Sequence, residues 1–215
     1  MNDKFFSIKE KCKLISQNAA WNIDDLVELI DTDEEQAKII FEEADKVREK
    51  FMGDQVHLRG LIEFSNYCSR ECLYCGLRSD INSLTRYRMS IDEIVDSAEK
   101  AETLGYRSVV LQSGEDPFYT AAKLTELVYR IKTSTDLAVT LSCGEFSYED
   151  YKQIKAAGAD RYLLRFETSD DDLYTFLHPD SRLDKRLECL QFLKDLSYQI
   201  GTGFMVGLPG ETSEI

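Results

Sequence analysis

From about residue 57 to its end the chain alternates short β-type apolar runs with amphipathic helical stretches, one pair every ~30 residues. The β-type runs are residues 61–65, 108–112, 137–141, 160–165 and 199–206. A first helix opens at the capping box Ser90-Ile91-Asp92-Glu93, carries Ile94, Val95, Ala98, Ala101 and Leu104 on one face, and stops at Gly105. A second carries Leu124, Leu127, Val128 and Ile131, a third covers 148–157, and a fourth carries Leu187, Leu190, Leu193 and Leu196. Strands separated by helices require parallel pairing with right-handed crossovers. The fold class is therefore α/β, of the (β/α) TIM-barrel type. Each run is followed by small or charged residues: 68–75, Ser113-Gly114-Glu115-Asp116, Ser142-Cys143-Gly144-Glu145, Arg165-Phe166-Glu167-Thr168 and Gly207-Leu208-Pro209-Gly210-Glu211. In such a barrel these ends converge on one rim, where active sites are built. A complete barrel takes about 250 residues, and the roughly 160 present accommodate five strand–helix units. The expectation is an incomplete barrel: a piece of a longer protein, or one whose open edge another chain covers. An uncapped parallel edge is an aggregation hazard, which favours the first.

Residues 1–55 read as a separate N-terminal helical cap, with 56–215 as the partial barrel. Leu26, Leu29 and Ile30 form one apolar stripe. Thr32-Asp33-Glu34-Glu35 reads as a capping box opening a helix with Ala37, Ile40, Phe41, Ala44, Val47 and Phe51 at helical spacing, ended by Gly53. The formal net charge of −14 argues against a nucleic-acid partner. No apolar run approaches a membrane span, and the start is unlike a signal peptide, so a cytoplasmic location is expected. Six cysteines in such a chain point to metal or redox chemistry rather than disulfides.

Three of them fall in Cys68-Ser69-Arg70-Glu71-Cys72-Leu73-Tyr74-Cys75, spaced C-x3-C-x2-C behind the first strand. Cys thiolates hold iron–sulfur clusters and zinc. A closed zinc site needs four ligands, and the nearest further candidates are His57 and Cys143. A [4Fe–4S] cluster on three thiolates leaves one iron open. A zinc-binding structural domain or three free thiols remain the alternatives. Cys12, Cys143 and Cys189 stand alone and read as packing residues.

This spacing, with aromatic Tyr74 before the third cysteine, resembles the radical S-adenosylmethionine (SAM) superfamily. The runs at 59–66, 86–89, 111–117, 161–165 and 205–210 narrow the likeness to the HydE-type maturases of [FeFe]-hydrogenase. The resemblance implies a radical-SAM barrel with a [4Fe–4S] cluster on Cys68, Cys72 and Cys75. Its open iron would chelate SAM, which is cleaved reductively to a 5′-deoxyadenosyl radical during assembly of the hydrogenase H-cluster. It implies a small-molecule or organometallic iron substrate, an external electron donor and other hydrogenase maturation proteins as partners. By position, Tyr74 would lie beside the adenine, Ser113, Gly114 and Glu115 at the SAM amino group, Glu167 against SAM, Arg186 on its carboxylate, and Met205 and Leu208 along the adenine. Arg161 and Arg165 would face inward to hold anionic substrate groups, with Thr140 beside them. Phe166 departs from the histidine often found there, and the region of an auxiliary cluster is lacking. Methylornithine synthase and biotin synthase are the neighbouring alternatives. Biotin synthase uses extra barrel cysteines, for which the matching places here are Leu111 and Gly201.

Overall fold

The computed structural model describes residues 2–17 and 21–213. They form two compact units, 58–208 and 1–57 with 209–215.

The first unit holds a five-stranded sheet in the order β1-β2-β3-β4-β5, all parallel. Its elements run β1 (Gly60–Ser65), α4 (Ile91–Thr103), β2 (Ser108–Ser113), α5 (Ala121–Ser134), β3 (Ala138–Ser142), α6 (Tyr148–Ala156), β4 (Arg161–Leu163), α7 (Asp171–Leu177), α8 (Leu183–Asp195) and β5 (Gln199–Gly201), the labels α1–α3 belonging to the N-terminal helices described below. Strand alternation splits the sheet into two faces. Ile62, Phe64, Val109, Leu111, Val139, Leu141 and Tyr162 are buried against Ile94, Leu124, Leu127, Ile131, Tyr151, Ile154 and Leu193 of the helices. The register places Leu61, Val110, Thr140, Arg161 and Gln199 in one row on the opposite face, with Glu63, Gln112 and Ser142 in the next. That face carries the polar side chains and no helix-facing core residue.

Ser90 and Ser147 each form the full capping box at α4 and α6, and Gly105 follows α4 at φ +89°. Several readings of the strands and helices need correction. β4 and β5 are shorter than 160–165 and 199–206, because Glu167 adopts φ +67° and breaks the ladder. Phe166 and Glu167 both donate to the Gly203 carbonyl, and pairing resumes only at the Glu167–Phe204 bridge. α7 carries no long apolar repeat and was not anticipated; Asp170 caps it by accepting from the Leu173 amide at 2.6 Å. The buried face of α8 is Leu183, Arg186, Cys189 and Leu193, while Leu187 is exposed. Arg186 thus lies on the inward stripe, which the leucine spacing alone did not reveal.

The other unit comprises α1 (Asn2–Ser16), α2 (Ile23–Ile30) and α3 (Glu34–Met52). Lys11 of α1 pairs with Asp25 (2.9 Å) and Glu28 of α2. The N-cap of α3 is Asp33, which accepts from Gln36 N at 2.9 Å; Thr32 donates instead to the Leu29 carbonyl. The cap read at Thr32 therefore falls one residue later, as a single Asp33 cap rather than a reciprocal box, and Asp competes well with Thr as a cap. The helix spacing of α3 overstated its buried face, since Phe41 and Phe51 are exposed. No helix among the described residues is long and apolar enough to cross a membrane.

Candidate active site at the strand-end rim

The loop after β1 carries the three cysteines and is tied down on several sides. Ser69 donates from its amide and hydroxyl to the Glu115 carbonyl at 2.9 and 3.0 Å, joining the tips of β1 and β2. The Leu73 amide donates to Leu177 O at 2.9 Å, joining the loop to α7. Behind it, Arg86 donates to the carbonyls of Leu77 and Arg78, both at 2.8 Å, and to that of Asn66. Buried Asp116 accepts from Ser65 Oγ (2.7 Å) and from Arg88 in a fork (2.7 and 2.9 Å). Gly114 is required at its place, since a Cβ there would lie 2.4 Å from Tyr67 O and 2.6 Å from Cys68 Cβ. The close approach expected of Gly114 is therefore to the cysteine loop. Ser113 Oγ donates to Gly114 O at 2.7 Å, so part of the acceptor set expected at 113–115 is already engaged within the chain.

Cys68 Sγ accepts from the Arg70 amide and Cys75 Sγ from the Leu77 amide, each at 3.4 Å. The Cys72 thiol is pushed up to about 11, first by burial and then by the charges of Cys68 and Cys75, so the three sulfurs sense one another. Among the described residues no three His, Cys, Asp or Glu side chains gather tightly enough for a single metal ion. A cluster instead spreads its thiolates over separate irons and is tuned by N–H···S bonds of this kind. Cys143 is no fourth ligand: it is buried, with Sγ 3.5 Å from Tyr162 Oη. The donor set fits a three-cysteine cluster.

Beside the thiols lies a charge network that the sequence did not disclose. Arg70, inside the cysteine spacer, donates to Glu115 (2.7 Å), Glu145 (2.9 Å) and the Asp180 carbonyl (3.1 Å). Arg186 is 8% exposed; its Nε lies 3.0 Å from Glu145 Oε1 and 3.3 Å from Tyr174 Oη, and Nη2 lies 3.6 Å from Glu115 Oε1. Burial lowers the Arg186 pKa, but Glu145, Tyr174 and Glu115 outweigh it and the net shift is upward. Burial pushes the Glu115 carboxyl up against the opposing pull of Arg70 and Arg186. Gly144, at φ +95°, leaves the space that the Glu115 side chain crosses; a Cβ would lie 2.0 Å from its Cγ. A cavity of about 240 Å³ opens here, lined by Ser69, Glu115, Cys143 and Glu145 among others.

Tyr74 donates toward His178 Nε2 (2.9 Å), and His178 Nδ1 lies 3.0 Å from Tyr174 O. Burial holds His178 below its ordinary pKa, which keeps the ring neutral. Glu167 is buried, its carboxyl pushed up by burial against Arg165, Arg186 and a bond from Tyr74, and its Oε2 has no partner among the described residues. Its carbonyl accepts from Met205 N at 2.8 Å, and Leu208 is buried nearby in sequence. On the helix-free face, Thr140 Oγ1 is buried without a partner among the described residues, and Arg161, its register neighbour, donates to Gln199 Oε1. Arg165 lies past the end of β4 and is exposed, so it stands apart from the strand on which the sequence placed it.

Arg70, Glu145, Tyr174 and His178 were missed as site residues. Glu145 sat in a rim cluster and could have been named; the other three carry no local signal. Leu111 is fully buried on the helix side, so it is not the interior place taken for it; Val110 and Gln112 are. None of the interior positions described, from Leu61 to Gly201, is cysteine.

The radical SAM superfamily profile matches residues 62–215, which covers the cysteine loop and all five strand ends. The chain belongs to the radical SAM superfamily. It is 51% identical over 173 residues to the [FeFe] hydrogenase maturase subunit HydE of Thermotoga maritima, covering 80% of this chain and 49% of that protein. It is 30% identical to 3-methylornithine synthase of Methanosarcina acetivorans, covering 86% and 53%. The crystal structure of methylornithine synthase (PylB) superposes with a TM-score of 0.86 at 27% identity, covering 94% of this chain and 60% of that one. The chain spans about half the length of the curated relatives it matches. The five parallel strands are thus part of a radical-SAM, TIM-type barrel.

Proposed function

We propose that this chain forms the cofactor-binding half of a HydE-type maturase. In this reading Cys68, Cys72 and Cys75 hold a [4Fe–4S] cluster, and SAM binds beside it. When bound, the cluster supplies the one-electron reduction that cleaves SAM, with an external donor as the source of the electron. The carrying observation is the joining of the three-cysteine loop to Arg186 through Arg70, Glu115 and Glu145. Arg186 is buried, permanently charged and held by two carboxylates on one side, which leaves its remaining edge suited to a carboxylate. Glu167 offers one buried acceptor atom, Oε2, without a partner among the described residues, which suits an ammonium or a ribose hydroxyl. Tyr74, Met205 and Leu208 give apolar surface for the adenine, and Ser113-Gly114-Glu115 forms the adjoining wall.

The helix-free face would take the substrate. Thr140 presents an unsatisfied hydroxyl and Arg161 a guanidinium in the same row, while Arg165 adds positive charge at the rim. One cation on that face and another at its rim suit anionic groups of a small or organometallic iron substrate. Assembly of the hydrogenase H-cluster, alongside other maturation proteins, is the role that the likeness to HydE supports.

Anaerobic reconstitution tests this directly. The wild-type chain should bind about four irons, and replacing Cys68, Cys72 or Cys75 with Ala should abolish this, whereas Cys12→Ala should not. Arg186→Ala should assemble the cluster but weaken SAM binding roughly ten- to hundredfold, as the loss of a charge-assisted contact of about 1.5–3 kcal/mol requires. The midpoint is read from the cluster's EPR spectrum on titration with SAM. A colourless zinc protein, or an unchanged midpoint, would contradict the assignment. Hydrogenase maturation and methylornithine formation, assayed side by side, separate the two related activities.

A further inference from the structure

His178 has no part in the reading above, yet it is 1% exposed with both ring nitrogens engaged. Nδ1 faces the Tyr174 carbonyl at 3.0 Å, and a carbonyl only accepts, so Nδ1 carries the proton. In the neutral ring Nε2 is then an acceptor, and the 2.9 Å contact to Tyr74 is a bond that the phenol donates. The imidazole is stacked on Tyr174, with centroids 4.1 Å apart and planes 20° from parallel. Tyr174 is itself fully buried, and its hydroxyl lies 3.3 Å from Arg186 Nε. The ring therefore has one orientation and one tautomer.

A phenol has a single proton, and Tyr74 has a second acceptor within reach. Its hydroxyl also acts on Glu167 as a hydrogen-bond donor, pulling that carboxyl down. Among the described residues Glu167 Oε2 nevertheless has no hydrogen-bond partner, and the residue is held at φ +67°. A buried carboxylate oxygen left open is costly unless a ligand supplies the missing donor.

We infer that His178 is a positioning residue: it accepts the Tyr74 phenolic hydrogen bond and so keeps Glu167 Oε2 open to the donor groups of a ligand. The inference rests on the reading that SAM occupies this rim, since its ammonium and ribose hydroxyls are such donors. Without His178 the Tyr74 proton turns to Glu167 and caps it from within the chain.

The test is a double-mutant cycle in the anaerobically reconstituted full chain, with iron content and the SAM midpoint from cluster EPR measured for each variant. His178→Phe should retain the cluster and bind SAM roughly five- to tenfold more weakly. Adding Tyr74→Phe to that variant removes the competing proton and should recover part of the affinity. His178→Gln, whose side-chain oxygen can accept, should lie closer to the wild type. A merely structural histidine gives no such reversal. A wild-type chain whose EPR spectrum ignores SAM would overturn the SAM reading and the inference together. A wild-type response with an unchanged midpoint in His178→Phe would overturn the inference alone. So would a double variant weaker than His178→Phe, or loss of the cluster in both His178 variants.

Discussion

Two glycines at the rim have opposite reasons for being glycine. Gly144 needs its positive φ and the room for Glu115, whereas Gly114 is constrained by proximity alone. At Gly114 a methyl group would meet a carbonyl oxygen and a cysteine Cβ, and neither can move without shifting the cysteine loop. Gly114→Ala should therefore cut cluster loading severely while far-UV circular dichroism shows the helices and sheet retained. Full iron content in that variant would contradict the packing argument. The spacing of Cys68, Cys72 and Cys75 and the glycines at strand ends are local features, and they were legible in the sequence. Arg70 and His178 were not, because a half-buried arginine or a buried histidine is identified only by partners brought from 45 to 110 residues away.

At the scale of elements, the tips of β1 and β2 are locked through Asp116. Its side chain has 0% exposure and accepts from Ser65, Arg88 and the Phe118 amide, while the Arg88 guanidinium lies 3.8 Å from the centre of the Tyr67 ring. Burial pushes the carboxyl up, but the bonds from Arg88, Ser65 and Phe118 outweigh it and hold it below its ordinary value. A depressed carboxylate adds stability above its unfolded pKa of about 3.9, and that stability is lost as pH falls through the folded value. Asp116→Asn should cost about 1.5–3 kcal/mol near pH 7, and the gap to wild type should narrow below about pH 4. Denaturant titrations at both pH values measure it; a constant gap would mean that the charge plays no part. The strand–helix order was readable because each element carries its own period, 2.0 or 3.6. The ends of β4 and β5 were not, because a left-handed Glu167 interrupts the ladder within an unbroken apolar pattern.

For the whole molecule, the five-stranded sheet sets a gradient of protection. β2, β3 and β4 have strand partners on both sides, while among the described residues β5 has one and β1 has one plus the short Ser65–Arg88 bridge on its outer side. Amide hydrogen exchange should be slowest in β2 and β3 and fastest in β5, which has three residues. Uniform protection across all five strands would show that both outer sides are covered in solution. The clasp made by Arg86 has a different consequence. One guanidinium gathers the carbonyls of Asn66, Leu77, Arg78 and Ile81, closing the segment 66–81 into a ring through bonds of the polypeptide itself. The entropy of shaping that segment is then lost when the polypeptide folds, not when a cluster arrives. Lysine has a point charge and three donors and cannot hold four such acceptors in a plane. Arg86→Lys should fold normally yet reconstitute slowly, as followed by the growth of visible absorbance after iron and sulfide are added. If the proposed cluster sits in this ring, a chain that lost it would keep the socket standing. Loss and repair would then be local events, and one polypeptide could outlive many clusters.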